Sequence, residues 1–246
     1  MLKRYVDYCI EKNIVLHGDN RLSTFEAKDA IKYVDRQAIA RRFITIGELR
    51  EYQNICSNEQ DKLLLELPFA GVLGKEMIEI IDLTFDNVDE NNKMLSLHMG
   101  EGKYRRMAVE ISTIALIRNT YEQKTYLENN GNIGGRSSPR EFKINKLGNY
   151  VFRVPGKKKF EKFSTGLAYT RLIKIKKWVD NPYLTYKSLM FSGMMHLLNQ
   201  RLKERGELIE KDYRDIVDKY DYGSDHYFAW RDVKAMYEQN KKMMGV

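Results

Sequence analysis

Cysteine is scarce. Two residues, Cys9 and Cys56, stand in 246, with no CxxC pair and no cluster. That gives no support for a disulfide framework or a zinc site, and fits a reducing cytoplasm. Long apolar runs are missing as well. None approaches the roughly 18 residues that a bilayer crossing needs, so no membrane partner is expected. The opening stretch, MLKRYVDYCIEKN, is charged and amphipathic and lacks the uninterrupted apolar core of a signal peptide. Acids nearly vanish from one segment. Between Arg140 and Lys177 two of them face twelve Lys/Arg, a local excess of +10 in a chain whose net charge is +8. The remainder therefore nets −2, and one segment carries the basic excess, which makes a local positive field. No internal repeat is visible. His98, alternating in a strand pattern, reads as an ordinary histidine, and neither metal nor cofactor is expected.

What is present is a globular balance: 43% apolar and 31% charged residues, with 11% aromatic. Leu2, Tyr5, Val6, Cys9 and Ile10 recur at helical spacing. Three S/T-x-x-E/Q-like boxes, at Ser23–Glu26, Thr45–Glu48 and Ser57–Gln60, predict helix starts. The third predicts a helix over Lys62–Ala70, followed by a turn at Gly71–Gly74 and a short helix over Lys75–Asp82. The period then changes from helical to alternating. Residues 94–99 and 103–110 flank Gly100–Glu101–Gly102 as a β-hairpin. Ser112 is expected to cap a long helix, and 129–140 to form a loop. Residues 150–154 read as a strand ended by Pro155–Gly156, with Lys157–Lys159 in a turn. Helices are expected from Ser164 or Thr165 to Trp178, from Thr185 to Arg205, over 207–219 and over 227–242. The order predicts a mostly α, α+β fold with one small antiparallel sheet.

The stretch from Thr45 to about Tyr237 resembles the catalytic domain of tyrosine recombinases, the phage-integrase family. The best local match is FAGVLGKEMIEIIDLTFDNVD (69–89), which is similar to the pattern TGLRxSELLxLxWxDID. Gly71 falls on its glycine, Glu76 on its glutamate, and Leu83 and Asp86 on its later Leu and Asp. TYKSLM (185–190) stands where the family writes TxHxLR. The resemblance implies a recombinase-like domain over 43–246, with 1–42 as a partial N-terminal helical segment.

Such enzymes cut a phosphodiester with a tyrosine and clamp the phosphate with two arginines, helped by His and Lys. Charge growing on nonbridging oxygens demands preorganised cationic donors. Here the arginine positions are Leu73 and Met190. The histidine position is Lys187, and the hairpin lysine position is near Glu101, with Lys103 able to stand in. His226 and Trp230 lie near the later His/Trp position, and Tyr237 near the nucleophile. Losing one oxyanion-type donor costs about 3–4 kcal/mol of barrier, so two apolar replacements predict no catalytic residues and no enzyme.

The expected function is sequence-specific binding of double-stranded DNA. The resemblance is to integrase-like lysogeny repressors of SPβ-type temperate phages, acting in the cytoplasm of a bacterial host. Phosphates are gripped mainly by lysine and arginine. The expected DNA-binding residues are Lys103, Arg105, Arg106, Arg136, Arg140, Lys157, Lys158, Lys159 and Lys187. Homo-oligomerisation through the C-terminal helix and an antirepressor protein are the further partners expected. The alternatives are an active recombinase using Tyr237 and displaced catalytic groups, and an interaction module for acidic proteins.

Overall fold

Thr45 and Glu48 form the expected capping box. The Thr45 hydroxyl accepts from Glu48 N–H at 3.2 Å, and the Glu48 carboxylate accepts from Thr45 N–H at 2.7 Å. They open helix α2 (Ile46–Ile55), which follows α1 (Leu2–Glu11). A computed structural model of the chain describes residues 2–15, 18–26, 41–144, 148–156, 162–223 and 226–241. The helix expected after Ser23 falls on 27–40, outside the described residues, and Arg21–Thr24 is a turn. The chain divides into two compact units, Met1–Ile39 and Ala40–Val246.

In the second unit α3 (Glu59–Ala70) starts without the box expected at Ser57. Its N-cap residue, Asn58, makes no capping bond. The Asn58 Oδ1 accepts from Leu127 N–H instead, tying α3 to a distant strand. Gly71, at φ 107°, closes α3 in the left-handed region that glycine adopts without penalty. A 3₁₀ turn (Lys75–Met77) and α4 (Ile78–Ile81) replace the single short helix. Glu76 and Met77 both sit at positive φ, 54° and 65°, where the backbone kinks.

Strands β1 (Val88–Asp89), β2 (Met94–Gly100) and β3 (Lys103–Ala108) form an antiparallel sheet in that order. The β2–β3 register pairs Leu97 with Arg105 and Leu95 with Met107 across the hairpin. Helix α5 (Ile111–Glu122) has its N-cap at Glu110 rather than at Ser112. A second small sheet, β4 (Thr125–Leu127) with β5 (Glu141–Lys143), encloses the loop after it. The strand expected at 150–154 does not form. That stretch is buried and touches its neighbours through isolated bridges, Thr84 with Tyr150 and Arg153 with Lys162.

Four helices complete the unit: α6 (Thr165–Trp178), α7 (Tyr186–Arg205), α8 (Glu210–Tyr220) and α9 (Ala229–Asn240). Ser164 and Thr185 cap α6 and α7 as their sequence positions predict. The core has two parts. One gathers α3, α5, α6 and the hairpin around Leu63, Leu65, Ile80, Leu97 and Leu172. The other gathers α7, α8 and α9 around Met194, Leu198, Ile216 and Tyr237. Leu73 packs against both. Among the described residues no helix is long and apolar enough to cross a membrane.

Candidate nucleic-acid interface

The turn after α3 and the first turn of α7 meet in a groove of about 680 Å³. Leu73, Lys75 and Glu76 line one side, Lys187 and Met190 another, and Tyr169, Tyr186, Tyr220 and Tyr222 the rest. The three positions singled out by the resemblance, Leu73, Lys187 and Met190, thus converge. Leu73 is half-buried and Met190 buried, and both feed hydrocarbon into the core beneath. Lys187 is exposed at the rim, its ammonium 5.5 Å from the Phe191 ring centre. Among the described residues no guanidinium lines this groove.

The floor is held by a residue expected elsewhere. Arg105 does not point outward from the hairpin. Its Nε donates to Glu79 Oε1 at 2.5 Å and its Nη2 to Glu79 Oε2 at 2.7 Å. The same guanidinium donates to Gly71 O at 2.7 Å and to Lys219 O at 2.6 Å. Glu79 Oε2 also accepts from Leu73 N–H at 2.9 Å. Arg105 therefore fastens the Leu73 turn, α4 and the end of α8 together. Its donors are spent internally, so it is removed from the DNA-contacting set. The signal was available: Arg105 shares a strand face with Met107 and faces Leu97.

The glutamate that matters is likewise Glu79 and not Glu76. Glu76 is exposed, and its backbone oxygen accepts from the Thr165 hydroxyl at 2.9 Å. Read backward from Leu83, Glu79–Ile80–Ile81–Asp82–Leu83 fits the ELLxL part of the family pattern, with a longer turn before it. Counting from this end puts the first arginine position on Glu76, and counting from Gly71 puts it on Leu73. Neither register supplies a cation.

The remaining positions divide. Lys103 and Arg106 are exposed on the hairpin, and Lys103 Nζ lies 3.9 Å from Glu101. Arg136 and Arg140 are exposed but share one carboxylate, Glu128, at 3.3 and 3.8 Å. Lys157, Lys158 and Lys159 lie outside the described residues. Two members of the basic segment face inward. Arg153, buried, donates to the carbonyls of Thr120, Tyr121 and Gln123 and so caps the end of α5. Burial lowers its pKa from the ordinary arginine value. Arg171, also buried, lies 3.6 Å from Asp61. The positive field of this segment is smaller at the surface than its composition implies.

Tyr237 does not reach the groove. It is 1% exposed, and its hydroxyl donates to Asn199 Oδ1 at 2.7 Å within the second core. His226 is exposed and outside the groove. Trp230 is half-buried between the Arg214 and Arg231 guanidiniums. Among the described residues no group of three or more His, Cys, Asp or Glu could hold a metal.

Residues 43–241 match the family described as MrpR, C-terminal catalytic domain. The chain belongs to this family. The MrpR-type domain thus spans the groove, both cores and the helix that carries Tyr237. A relative is the SPbeta prophage-derived uncharacterized protein YopR of Bacillus subtilis (strain 168). It is 24% identical over 225 residues, 89% of this chain and 67% of YopR. The crystal structure of XerA recombinase matches with a TM-score of 0.52 and 13% identity, over 80% of this chain and 64% of XerA. The chain thus spans less than two thirds of the XerA chain. At that identity the likeness concerns the fold: the MrpR-type domain has the tyrosine-recombinase architecture.

Proposed function

We propose that this chain is a sequence-specific binder of double-stranded DNA that holds its site without cutting it, as a phage repressor of lytic genes. The observation that carries this reading is the groove. The groove brings Leu73, Glu76 and Met190, the positions that the resemblance gives to the clamp in either register, together with Lys75 and Lys187. Hydrocarbon cannot neutralise the charge that builds on a transferring phosphoryl group. Lysines at the rim still neutralise the phosphates of an intact duplex. The phage origin of the relative YopR supports a role in the temperate cycle, and the XerA-like fold supports a duplex as the ligand. The proposed phosphate contacts are Lys103, Arg106, Arg136, Arg140 and Lys187, with Lys157–Lys159.

The test is a gel-shift titration on phage operator fragments across a salt series, run beside a nicked suicide substrate. Lys187→Ala should weaken binding on all sequences and reduce the slope of log K against log salt by about one. A covalent adduct on the nicked substrate would restore the cleaving reading that the family's description as catalytic keeps open. Equal affinity for every duplex would remove the repressor role.

A further inference from the structure

A second, partly open cavity lies behind the groove, lined by α2, α3, the start of α5, α7 and the end of α8. It holds about 190 Å³. Its walls are largely apolar, with Ile46, Phe69 and Leu197 among them. Two of its lining residues, Lys219 and His196, carry nitrogen groups without a protein acceptor among the described residues. Lys219 Nζ makes no hydrogen bond or ion pair among the described residues, and neither does the His196 ring, which rests on Phe69 with centroids 5.7 Å apart.

The nearby acids do not answer them. Glu66 is already saturated by Arg50 at 2.6 Å, Gln53 at 2.8 Å and Thr113 at 2.9 Å. Glu110 is exposed at the mouth. Burial depresses the Lys219 ammonium below its ordinary range, and the Glu110 charge only partly opposes this. Burial also depresses His196, and the Lys203 and Arg50 charges add to the effect. The cleft is therefore a partly dry space in which the charges of Arg50, Glu66, Glu110 and Lys219 balance, and Lys219 Nζ and the His196 ring have no hydrogen-bond partner among the described residues.

Tyr220 stands between this cleft and the groove and lines both. Its hydroxyl donates to Phe69 O at 2.7 Å, and its ring lies 3.4 Å from where a Cβ on Gly71 would be. The carbonyl of the adjacent Lys219 is held by Arg105, which also holds Gly71 O. A ligand that pulls on Lys219 and presses on Tyr220 therefore acts on the turn that carries Leu73.

We infer that this cleft binds a small organic anion, a carboxylate or phosphate on a short apolar stem, through Lys219 and His196, and that its occupancy is transmitted to the groove through Tyr220. The transmitted half rests on the DNA-binding reading above; the binding half does not. Sodium isobutyrate and sodium phosphate are titrated into the full chain by calorimetry and thermal melting, against sodium chloride at equal ionic strength. A saturable response to one of the two, absent with chloride, is expected, and the pair separates carboxylate from phosphate. Lys219→Met should weaken it about tenfold or more, and His196→Phe should weaken it as well. Lys219→Met removes an unpaired half-buried charge, so the variant should melt no lower than the parent in the absence of anion. Equal responses to all three salts, or unchanged binding in both variants, would overturn the site. Operator affinity with and without the bound anion should differ by about fivefold or more. An unchanged affinity overturns the transmission and leaves the site. A protein that never binds DNA leaves the calorimetric result intact and refutes the repressor reading instead.

Discussion

Arg105 has the tightest set of contacts at the groove. It is a charged side chain whose acceptors are a buried carboxylate and two backbone carbonyls, so removing it strands Glu79, which has no exposed side-chain surface. Breaking a buried pair from one side costs about 3–5 kcal/mol, whereas replacing both partners with hydrocarbon of similar volume is often close to neutral. Arg105→Ala should lose about that much in urea unfolding, and Arg105→Met combined with Glu79→Leu should recover most of it. Lys103 and Arg106, neighbours on the same strand, should change stability by less than about 0.5 kcal/mol when truncated. Tyr237 provides the second residue-level test. Tyr237→Phe leaves Asn199 Oδ1 without its donor and should cost about 1–3 kcal/mol. Operator affinity should be unchanged, and a drop in DNA affinity at constant fold would bring the phenol back into the site.

At the scale of elements, the contact between α3 and α7 is set by Gly193. A Cβ there would lie 1.8 Å from Phe69 O and 2.4 Å from the Tyr220 hydroxyl, so the two helices approach at a distance only glycine permits. Gly193→Ala should cost at least about 3 kcal/mol, at the upper end of overpacking penalties, and should blunt cooperative unfolding because α7 carries residues of both cores. Differential scanning calorimetry reads both effects. The caps at Thr45, Ser164 and Thr185 were legible because a cap is a contact between near neighbours in the chain. The missing box at Ser57 and the missing strand at 150–154 were not. In both places the polar groups that decide the structure, Leu127 N–H for the first and bridges to Thr84 and Lys162 for the second, come from far along the chain.

At the scale of the whole molecule, the second compact unit begins at Ala40 and contains both cores and the groove. A fragment of residues 40–246 should therefore fold and show a cooperative melt within a few degrees of the full chain, monitored by circular dichroism. A molten fragment would mean that the first unit contributes to the core of the second.

By itself, the sequence determined the caps at Thr45, Ser164 and Thr185, where the hairpin turns, and that neither 71–79 nor 185–190 contains an arginine. These are statements about residue type and short-range spacing, and local physics suffices for them. Tertiary structure alone decided which charges face water. Arg105, Arg153 and Arg171 count as basic residues in any composition, yet packing turns them toward Glu79, the end of α5 and Asp61. It also decided that Tyr237 is a core residue and that Glu79, not Glu76, holds the groove. Burial is set by which distant surfaces meet, and a side chain's charge or spacing along the chain does not encode that meeting.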